Sequence, residues 1–336
     1  MKSALLFAVL LMGSSSSASA QKKVSVSGEY HGNLGMDLSD NGNDGAEMAF
    51  NTTRMYVTVN ASLNKMFSMR TTLDFENFTG DATGLKTPLL GYIKYAYFTV
   101  KPLEDMEIRF GQQPSPWIGV MDKIMGYRYV YKTGLDYYKL GDSADTGLSV
   151  VGSVFDSMIQ YQVGVFNGVG YKTQTEGQEP LNLMTAARLS VYPLAGQKGS
   201  HFSRLGLHLY GKTEAEDDSG TTNRTMLYGG ALSFNHKYVD LLVEFMMRSS
   251  NVDGDDGGML VAPYLKLKYG KFSIFWTYSM LKEENSEDTW SRIIAGATFD
   301  YSKNFAVSLN YQTVFSEKNT KDLNYSGLFL NTLFKF

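Results

Sequence analysis

The sequence has no cysteine, only 7 prolines and, beyond its first residues, no long apolar segment. An exported chain without cysteine cannot be stabilised by disulfide bonds, and closure of a β-barrel is one alternative. A transmembrane helix needs about 20 predominantly apolar residues, so no such helix is predicted. Helical membrane proteins are therefore excluded.

The first 20 residues have the pattern of an export signal. Lys2 supplies a positive charge, residues 4–12 form an apolar core, and Ala18 and Ala20 mark a cleavage site of small residues. The apolar core is too short to cross a bilayer, which argues against a transmembrane anchor. We expect cleavage after Ala20, so that the mature chain begins at Gln21.

Neither sign of charge is in large excess. Cleavage after Ala20 removes Lys2 from the 31 Lys and Arg residues and none of the 34 Asp and Glu residues, which leaves a formal net charge of −4. Nothing in this balance indicates a nucleic-acid partner.

Aromatic residues and glycine are abundant, with 22 Tyr, 20 Phe and 33 Gly, as suits many strands and turns. From Val24 onward, apolar side chains alternate with polar or small ones, so each predicted strand has one apolar and one polar face. Residues 54–63, 272–280 and 305–312 are examples. In a soluble sandwich the apolar face would turn inward, whereas in an outer-membrane barrel it turns outward to lipid.

The connections between strands alternate in length, which favours the barrel. Short periplasmic turns alternate with long outer loops in outer-membrane barrels. The predicted tight links are 64–65, 103–105, 155–157, 235–237, 269–271 and 302–304. The predicted longer stretches are 37–50, 79–90, 112–144, 169–181, 213–225, 249–258, 282–288 and 316–325.

The patterns predict an all-β, transmembrane antiparallel β-barrel of about sixteen strands over residues 21–336, preceded by a signal peptide at residues 1–20. An even strand number of this size suits an aqueous channel. The export signal and the apolar outer face predict the outer membrane of a Gram-negative cell as its location.

The last segment, residues 328–336, ends on an aromatic residue and carries Phe334 on the same apolar face as Leu330. It resembles the C-terminal strand that the assembly machinery of outer-membrane barrels recognises. The resemblance implies that Phe336 and Phe334 are the assembly signal and that this machinery and outer-membrane lipid are partners.

Four basic side chains point inward on neighbouring early strands and form a candidate basic wall: Arg54, Arg70, Lys94 and Arg109. The longest loop, 112–144, follows directly, and a loop of this length is usually functional. Its charged side chains, together with the one just beyond it, are Asp122, Lys123, Arg128, Asp136, Lys139, Asp142 and Asp145. The alternative for the basic wall is that it pairs with the lumen carboxylates Asp74 and Glu76 and only stabilises the barrel.

Several segments resemble trimeric porins. Residues 92–98, followed by 109–116, are similar to the strand pair that precedes the constricting third loop of that family. Residues 161–168 and 187–193 are similar to segments of the phosphate-selective porin O and P family. The likeness spans most of the barrel, although its motifs are short.

The resemblance implies a homotrimeric, passive, water-filled channel for small hydrophilic solutes and ions. It also implies that the long third loop folds into the lumen and narrows it. Arg54, Lys94 and Arg109 would then face Asp136, Asp142 or Asp145 across the narrowest point. A transverse field of this kind favours polar over apolar solutes. Anion or phosphate selectivity stays open, because the arginines are scattered and the mature chain is acidic.

Two other classes of barrel are alternatives. An enzyme barrel is disfavoured, because the chain has 4 His and no Gly-x-Ser-x-Gly motif, so we predict no catalytic residue and no cofactor. An adhesin barrel would have a plugged lumen, whereas small inward residues favour an open one. These small residues are Ser62, Ser68, Gly164, Ser190, Gly229, Ser233, Ser308 and Gly327.

Two outer loops are acidic, at residues 37–44 and 253–258. Their oxygen ligands could hold Ca²⁺ or Mg²⁺ against lipopolysaccharide phosphates, but neither loop matches the full calcium-binding pattern. We therefore predict solvated loops and no metal site.

Overall fold

A computed structural model describes residues 23–39, 48–77, 89–172, 183–195, 204–218, 221–251, 257–284, 289–316 and 325–336. The predicted signal peptide and its cleavage site lie outside these ranges. So do most of the two acidic outer loops.

Sixteen strands occur in the described ranges, as the alternating sequence predicts. They are β1 (Lys23–Asp37), β2 (Met48–Ser62), β3 (Phe67–Asn77), β4 (Leu89–Leu103), β5 (Met106–Pro114), β6 (Ala144–Val154), β7 (Ile159–Phe166), β8 (Met184–Val191), β9 (Leu205–Asp218), β10 (Thr221–Asn235), β11 (Val239–Ser250), β12 (Gly258–Tyr269), β13 (Phe272–Glu283), β14 (Thr289–Ser302), β15 (Phe305–Ser316) and β16 (Tyr325–Lys335).

The strands form one closed antiparallel barrel in which each strand pairs with its neighbours in sequence and β16 pairs with β1. Closure leaves no unpaired sheet edge, so every strand can satisfy its backbone hydrogen bonds inside a bilayer. Phe336 completes the β1–β16 seam, because its N–H donates to Gly28 at 3.1 Å and its carbonyl accepts from Gly28 at 3.0 Å. The predicted barrel class and strand number are confirmed.

The two faces of each strand have the predicted orientation. On β2, Val59 is exposed on the outside, whereas Arg54 and Thr58 are buried on the inside. On β13, Phe272 and Ile274 are exposed in the same way. The apolar face therefore points outward, as a lipid-facing surface requires.

The predicted loop at 213–225 is wrong. β9 continues to Asp218 and β10 begins at Thr221, and the two strands pair directly up to Thr221 and Asp218. Polar side chains do not end a strand whose backbone continues to pair with its hairpin partner. For the same reason β5 extends to Pro114, so the connection between β5 and β6 is 115–143 rather than 112–144.

The described residues contain no helix that is both long enough and apolar enough to cross a membrane. The helices described are two short ones in the segment 115–143: α1 (Ile118–Met125) and α2 (Gly134–Tyr137). We call this segment the third loop.

Deletion of Phe336 should lower the amount of folded protein in the outer membrane several-fold. The deletion removes both the exposed terminal ring and the hydrogen-bond pair with Gly28 that ends the β1–β16 seam. Heat-modifiable migration of outer-membrane fractions measures the folded amount.

Phe305→Ala is the matched control, because it removes another exposed aromatic ring from β15 without touching the terminus. Equal folded amounts of the deletion variant, the control and the parent protein would refute the proposed assembly signal.

Candidate functional site

The third loop lies inside the barrel. Trp117, Ile118 and Met121 are fully buried, and Leu135 is only 1% exposed. Gly126 follows the last residue of α1, and its φ of 73° lets the chain turn sharply. The Gly126 N–H donates to the Asp122 carbonyl at 2.8 Å. The prediction of a long third loop folded into the lumen is confirmed.

The loop is held by an apolar cluster that faces the inside of β7–β15. From the loop, the buried side chains are Trp117, Ile118, Met121, Met125, Tyr127, Tyr129, Val130, Tyr131 and Leu135. From the strands they include Phe166, Met184, Tyr210, Leu227, Leu242, Met246, Leu260, Tyr264, Phe275 and Ile294. Burial of this apolar surface away from lumen water stabilises the docked loop.

Glu244 on β11 binds both ends of the docked part of the loop. Its carboxylate is 2% exposed, accepts the Trp117 indole N–H at 2.8 Å and accepts the Gly134 backbone N–H at 3.3 Å. A buried carboxylate is costly unless its oxygens accept hydrogen bonds, so this geometry makes Glu244 and the docked loop depend on each other.

Other strands also fix the backbone of the loop through side-chain hydrogen bonds. Arg292 donates to the Lys132 carbonyl at 2.9 Å, and its guanidinium lies 3.7 Å from the Tyr137 ring centroid. Asn331 donates to the Tyr129 carbonyl at 3.1 Å. The backbone of the loop is thus also fastened to β14 and β16.

The opposite wall carries paired charges. Arg54 on β2 lies 3.3 Å from Asp74 and forms an ion pair with Glu76, while Lys94 on β4 lies 3.6 Å from Asp74. Lys172, just after β7, also pairs with Glu76. The predicted alternative, in which these cations pair with Asp74 and Glu76 of the wall, describes Arg54 and Lys94.

Tyrosine hydroxyls fill the space between these charges. Tyr56 receives hydrogen bonds from Arg54 at 3.0 Å and from Lys94 at 3.2 Å. Tyr171 donates to Asp74 at 2.9 Å, and its ring lies 5.2 Å from the Lys94 ammonium. This network fixes the direction of each cation more firmly than an isolated ion pair would.

The third loop carries its own ion pairs. Arg128 lies 2.8 Å from Asp136 and 3.4 Å from Asp122. Burial opposes ionisation of Asp136, but Arg128 and Lys132 outweigh it and lower its pKa, whereas burial dominates at Asp122 and raises its pKa. Asp136, the carboxylate with the lowered pKa, is thus the one that forms the shorter ion pair with Arg128.

Among the described residues, no loop carboxylate lies within 4.0 Å of Arg54 or Lys94. The expected direct pairing of loop acids with wall bases is therefore corrected, because Asp122 and Asp136 are already paired with Arg128 of their own loop.

Two cavities lie between the third loop and strands β1–β4, and residues at the β15–β16 side of the barrel also line them. The inner cavity, toward the short turns, has a volume of about 530 Å³, and the outer cavity, toward the long loops, has about 650 Å³. Arg128 lines both cavities. The aqueous path therefore passes Arg128 between the loop and the basic wall.

The remaining predicted wall residues lie toward the short turns. Arg70 lines the inner cavity, with its guanidinium 4.7 Å from the Tyr95 ring centroid. Arg109 does not line the inner or the outer cavity and instead pairs with Glu107 at 2.7 Å. The expectation that Arg109 faces the loop acids is corrected, because its position on β5 is beside the turn 104–105.

Four further predicted loop residues are dispersed. Lys139 lines the outer cavity, and Lys123 lines a different cavity below α1. Asp142 lies against Gly170. Asp145 accepts the backbone N–H groups of Thr146 and Gly168, both at 2.7 Å. Asp142 and Asp145 therefore belong to the junction of the third loop with the segment after β7 and do not face the basic wall.

Three of the eight small inward residues have a different role from the predicted one. Ser190, Ser233 and Ser308 are fully buried. Ser190 and Ser233 hydrogen-bond to the two nitrogens of His208, at 2.8 and 2.9 Å. The Trp117 and His208 rings meet edge to face, with their centroids 6.4 Å apart. Small side chains on this wall thus make room for the docked loop instead of lining open water.

Sequence reasoning missed the residues that dock the loop, namely Trp117, Glu244 and Arg292. A signal was present in β11, where Leu241 and Leu242 are adjacent and so are Met246 and Met247. A strand that is apolar on both faces needs apolar partners on both, here lipid outside and the third loop inside.

Within the part of the chain that the structure describes, no group of three or more His, Cys, Asp or Glu side chains is arranged to hold a metal ion. The two acidic loops mentioned above are mostly outside that part.

A family model described as Gram-negative porin matches residues 5–326. No curated protein sequence matches the chain. Several solved structures are similar in fold. An anion-selective porin from Comamonas acidovorans superposes with a TM-score of 0.66 at 13% identity, covering 94% of this chain and 100% of that one.

Two further solved structures have similar coverage. The Salmonella typhi OmpF complex with daunomycin has a TM-score of 0.68 at 10% identity, covering 94% of this chain and 98% of that one. A trimer form of OmpT, an outer-membrane protein of Vibrio cholerae, has a TM-score of 0.61 at 14% identity, covering 94% and 99%.

Glu244→Gln should loosen the third loop. An amide has only one acceptor oxygen, so either the Trp117 indole or the Gly134 N–H loses its partner, at a cost of about 1–3 kcal/mol. We expect a lower thermal unfolding temperature and more frequent substates in single-channel current.

Glu214→Gln is the matched control, because Glu214 lies on β9 and its carboxylate pairs with Lys212 at 2.5 Å, whereas the Glu244 carboxylate accepts hydrogen bonds from the loop itself. Identical stability and current noise in the Glu244 variant and the parent would contradict the anchoring role of Glu244.

Proposed function

Because the chain belongs to the Gram-negative porin family and is an outer-membrane channel, we propose that it passes small hydrophilic solutes with a preference for anions. The anion preference is the more specific part of this proposal. It is supported by the charges that line the two cavities, and it does not depend on the net charge of the chain.

The observation that supports the anion preference is an excess of cations on the cavity surfaces. Among the described residues, eight cationic side chains and three carboxylates line the inner and outer cavities. The cations are Arg54, Arg70, Lys94, Arg128, Lys132, Lys139, Lys172 and Lys335, and the carboxylates are Glu29, Glu76 and Asp122. Asp74 and Asp136 are not among the lining residues, although they pair with cations that are.

Local charge should outweigh net charge in this passage. Exposed charges separated by more than about 8 Å are largely screened at physiological salt, whereas charges in a narrow, partly desolvated passage are screened less. Anions in transit pass Arg128 and Lys139 at short range, while many of the acidic residues lie elsewhere on the chain. An acidic protein can therefore have an anion-selective pore.

Neutralising two outer-cavity lysines should shift the selectivity toward cations. In Lys132→Gln/Lys139→Gln, the outer cavity loses two of its five cationic side chains. We expect the zero-current potential in a potassium chloride gradient to move toward the potassium equilibrium value, measured in planar bilayers at matched ionic strength.

The control is Lys65→Gln/Lys303→Gln, which changes net charge equally at two exposed positions in short turns. An equal shift in both double variants would show that net charge sets selectivity. A cation preference in the parent protein would refute the proposal itself.

We also propose that the channel has no catalytic activity. His208 contacts two serine hydroxyls, which is the pairing that a hydrolase would use, but it is fully buried and in edge-to-face contact with Trp117 of the docked loop. A nucleophile in that position has no path to a substrate. This supports a structural role for the cluster.

We further propose that the mature chain begins at Gln21, is inserted by the barrel-assembly machinery among outer-membrane lipid and lipopolysaccharide, and forms a homotrimer. The trimer form of the similar Vibrio cholerae protein supports the oligomeric part. Mass spectrometry of the purified outer-membrane protein tests the cleavage site directly.

Fully open units in a planar bilayer should close in three equal current steps. Three independent pores in one assembly produce this pattern, since each barrel contains its own path past Arg128. Insertion events that close in single steps, together with a monomer mass by native mass spectrometry, would contradict the trimer.

A further inference from the structure

One cavity on the short-turn side of the barrel lies away from the passage. It is the cavity below α1, and it shares no lining residue with the inner or the outer cavity. Its volume of about 560 Å³ is typical of sites for small organic molecules. Ser157 and Asn235, which lie at two short turns, line it, so it faces the periplasm. We call it the lower cavity.

The charges that line the lower cavity are mostly positive. Four cationic side chains and one carboxylate line it. The cations are Lys123 on α1, Arg204 just before β9, and Lys266 and Lys268 on β12, and the carboxylate is Asp240 on β11. A cavity whose wall carries mainly one sign of charge concentrates ions of the opposite sign.

One of the four cations has a counter-charge, because the Lys268 ammonium lies 2.7 Å from the Asp240 carboxylate. Among the described residues, no carboxylate lies within 4.0 Å of Lys123, Arg204 or Lys266. Three cations around one space repel one another, and an anion placed between them replaces that repulsion with attraction.

The docked loop and the barrel wall hold these cations around the cavity. The Lys266 ammonium lies 4.0 Å from the ring centroid of Tyr127, a buried residue of the third loop. The carbonyl of Arg204 accepts the Asn235 backbone N–H at 3.5 Å. Lys123 is carried by α1, which is docked through its buried side chains. The cavity therefore forms only when the loop is in place.

The helix end does not account for these cations. Cations often lie at the C-terminal end of a helix, where the last carbonyls lack partners. In α1, the Ile124 carbonyl accepts the Asn235 side-chain amide at 3.2 Å, and the Met125 carbonyl accepts the Tyr264 hydroxyl at 3.1 Å. These carbonyls thus have donors other than Lys123 and Lys266.

We propose that the lower cavity binds a small anion with two or more oxyanion groups, such as a tricarboxylate or a diphosphate, on the periplasmic side of the channel. Such an anion makes a separate charge-assisted contact with each of several cations, whereas a singly charged anion makes fewer. Gln160 and Tyr192 line the same cavity and supply neutral hydrogen-bond donors.

This site is separate from the proposed anion preference of the channel. The preference depends on charges that line the inner and outer cavities, whereas the binding site depends on charges that line the lower cavity. The two proposals can therefore fail independently.

The test measures binding of citrate and of pyrophosphate to the full purified protein in detergent by isothermal titration calorimetry, with acetate as the singly charged comparison. Arg204→Gln and Lys266→Gln should each weaken binding about fivefold, as expected for the loss of one solvent-accessible charged contact. Arg204 is exposed, so its variant tests the site even if loss of Lys266 loosens Tyr127. Lys139→Gln, in the outer cavity, is the matched control.

Asp240→Asn should have the opposite effect. The change removes the one carboxylate among the residues that line the lower cavity and releases Lys268 from its ion pair. An asparagine oxygen can still accept the Asn235 side-chain amide, as Asp240 does at 3.1 Å. We expect binding of citrate or pyrophosphate to become several-fold tighter, a gain that damage to the structure would not produce.

Binding of citrate alone would identify a carboxylate ligand, and binding of pyrophosphate alone a phosphate ligand, and either supports the site. Acetate binding as tight as that of the polyanions, equal losses in Lys139→Gln and Arg204→Gln, or no binding at all would overturn it. An anion-selective channel that binds neither polyanion would refute this site and leave the proposed function intact. Polyanion binding weakened by Arg204→Gln in a cation-selective channel would support the site and refute the proposed anion preference.

Discussion

The structure depends on one packing interaction, the burial of the apolar side of the third loop against the inside of β7–β15. A barrel with sixteen strands in the described ranges has a lumen that the inward side chains of its strands do not fill. The third loop occupies one side of this lumen. Because Trp117, Met121 and Leu135 are buried there, the remaining water-filled space lies against β1–β4. Position and width of the passage thus follow from hydrophobic burial.

Charges are arranged around this passage in a consistent way. Asp74 is buried and the Asp136 side chain is only 12% exposed. Both carboxylates lie behind or beside the cations, where they fix side-chain direction without dominating the surface that a solute meets. Arg128 is central, since it holds the loop acids together and lines both cavities. The pore can therefore be basic although the chain is acidic.

The sequence predicts the barrel well because each strand must satisfy two physical requirements that repeat along it. Residues such as Val59 must face lipid and residues such as Arg54 must face water. An alternation of apolar and polar residues with period two therefore indicates both faces of a strand. The sequence pattern indicates the docked loop less clearly. Its partners Leu242 and Met246 are apolar residues on the inner face of the barrel, and a rule that expects polar residues on this face assigns them wrongly. The side chains of Arg109 and Asp145 point inward, as the alternation predicts. The alternation does not give the position of each residue along the barrel axis, and this position decides which inward side chains contact one another.

Cysteine accessibility tests the location of the passage most directly. Because the sequence has no native cysteine, only the introduced thiol can react. Asn60→Cys places a thiol in the inner cavity, whereas Ser233→Cys places one on an inward position that is fully buried on the opposite wall. A charged thiosulfonate reagent should reduce the current of the Asn60 variant rapidly and leave the Ser233 variant unchanged. Rapid block of the Ser233 variant with no effect on the Asn60 variant would contradict a passage between the third loop and the basic wall.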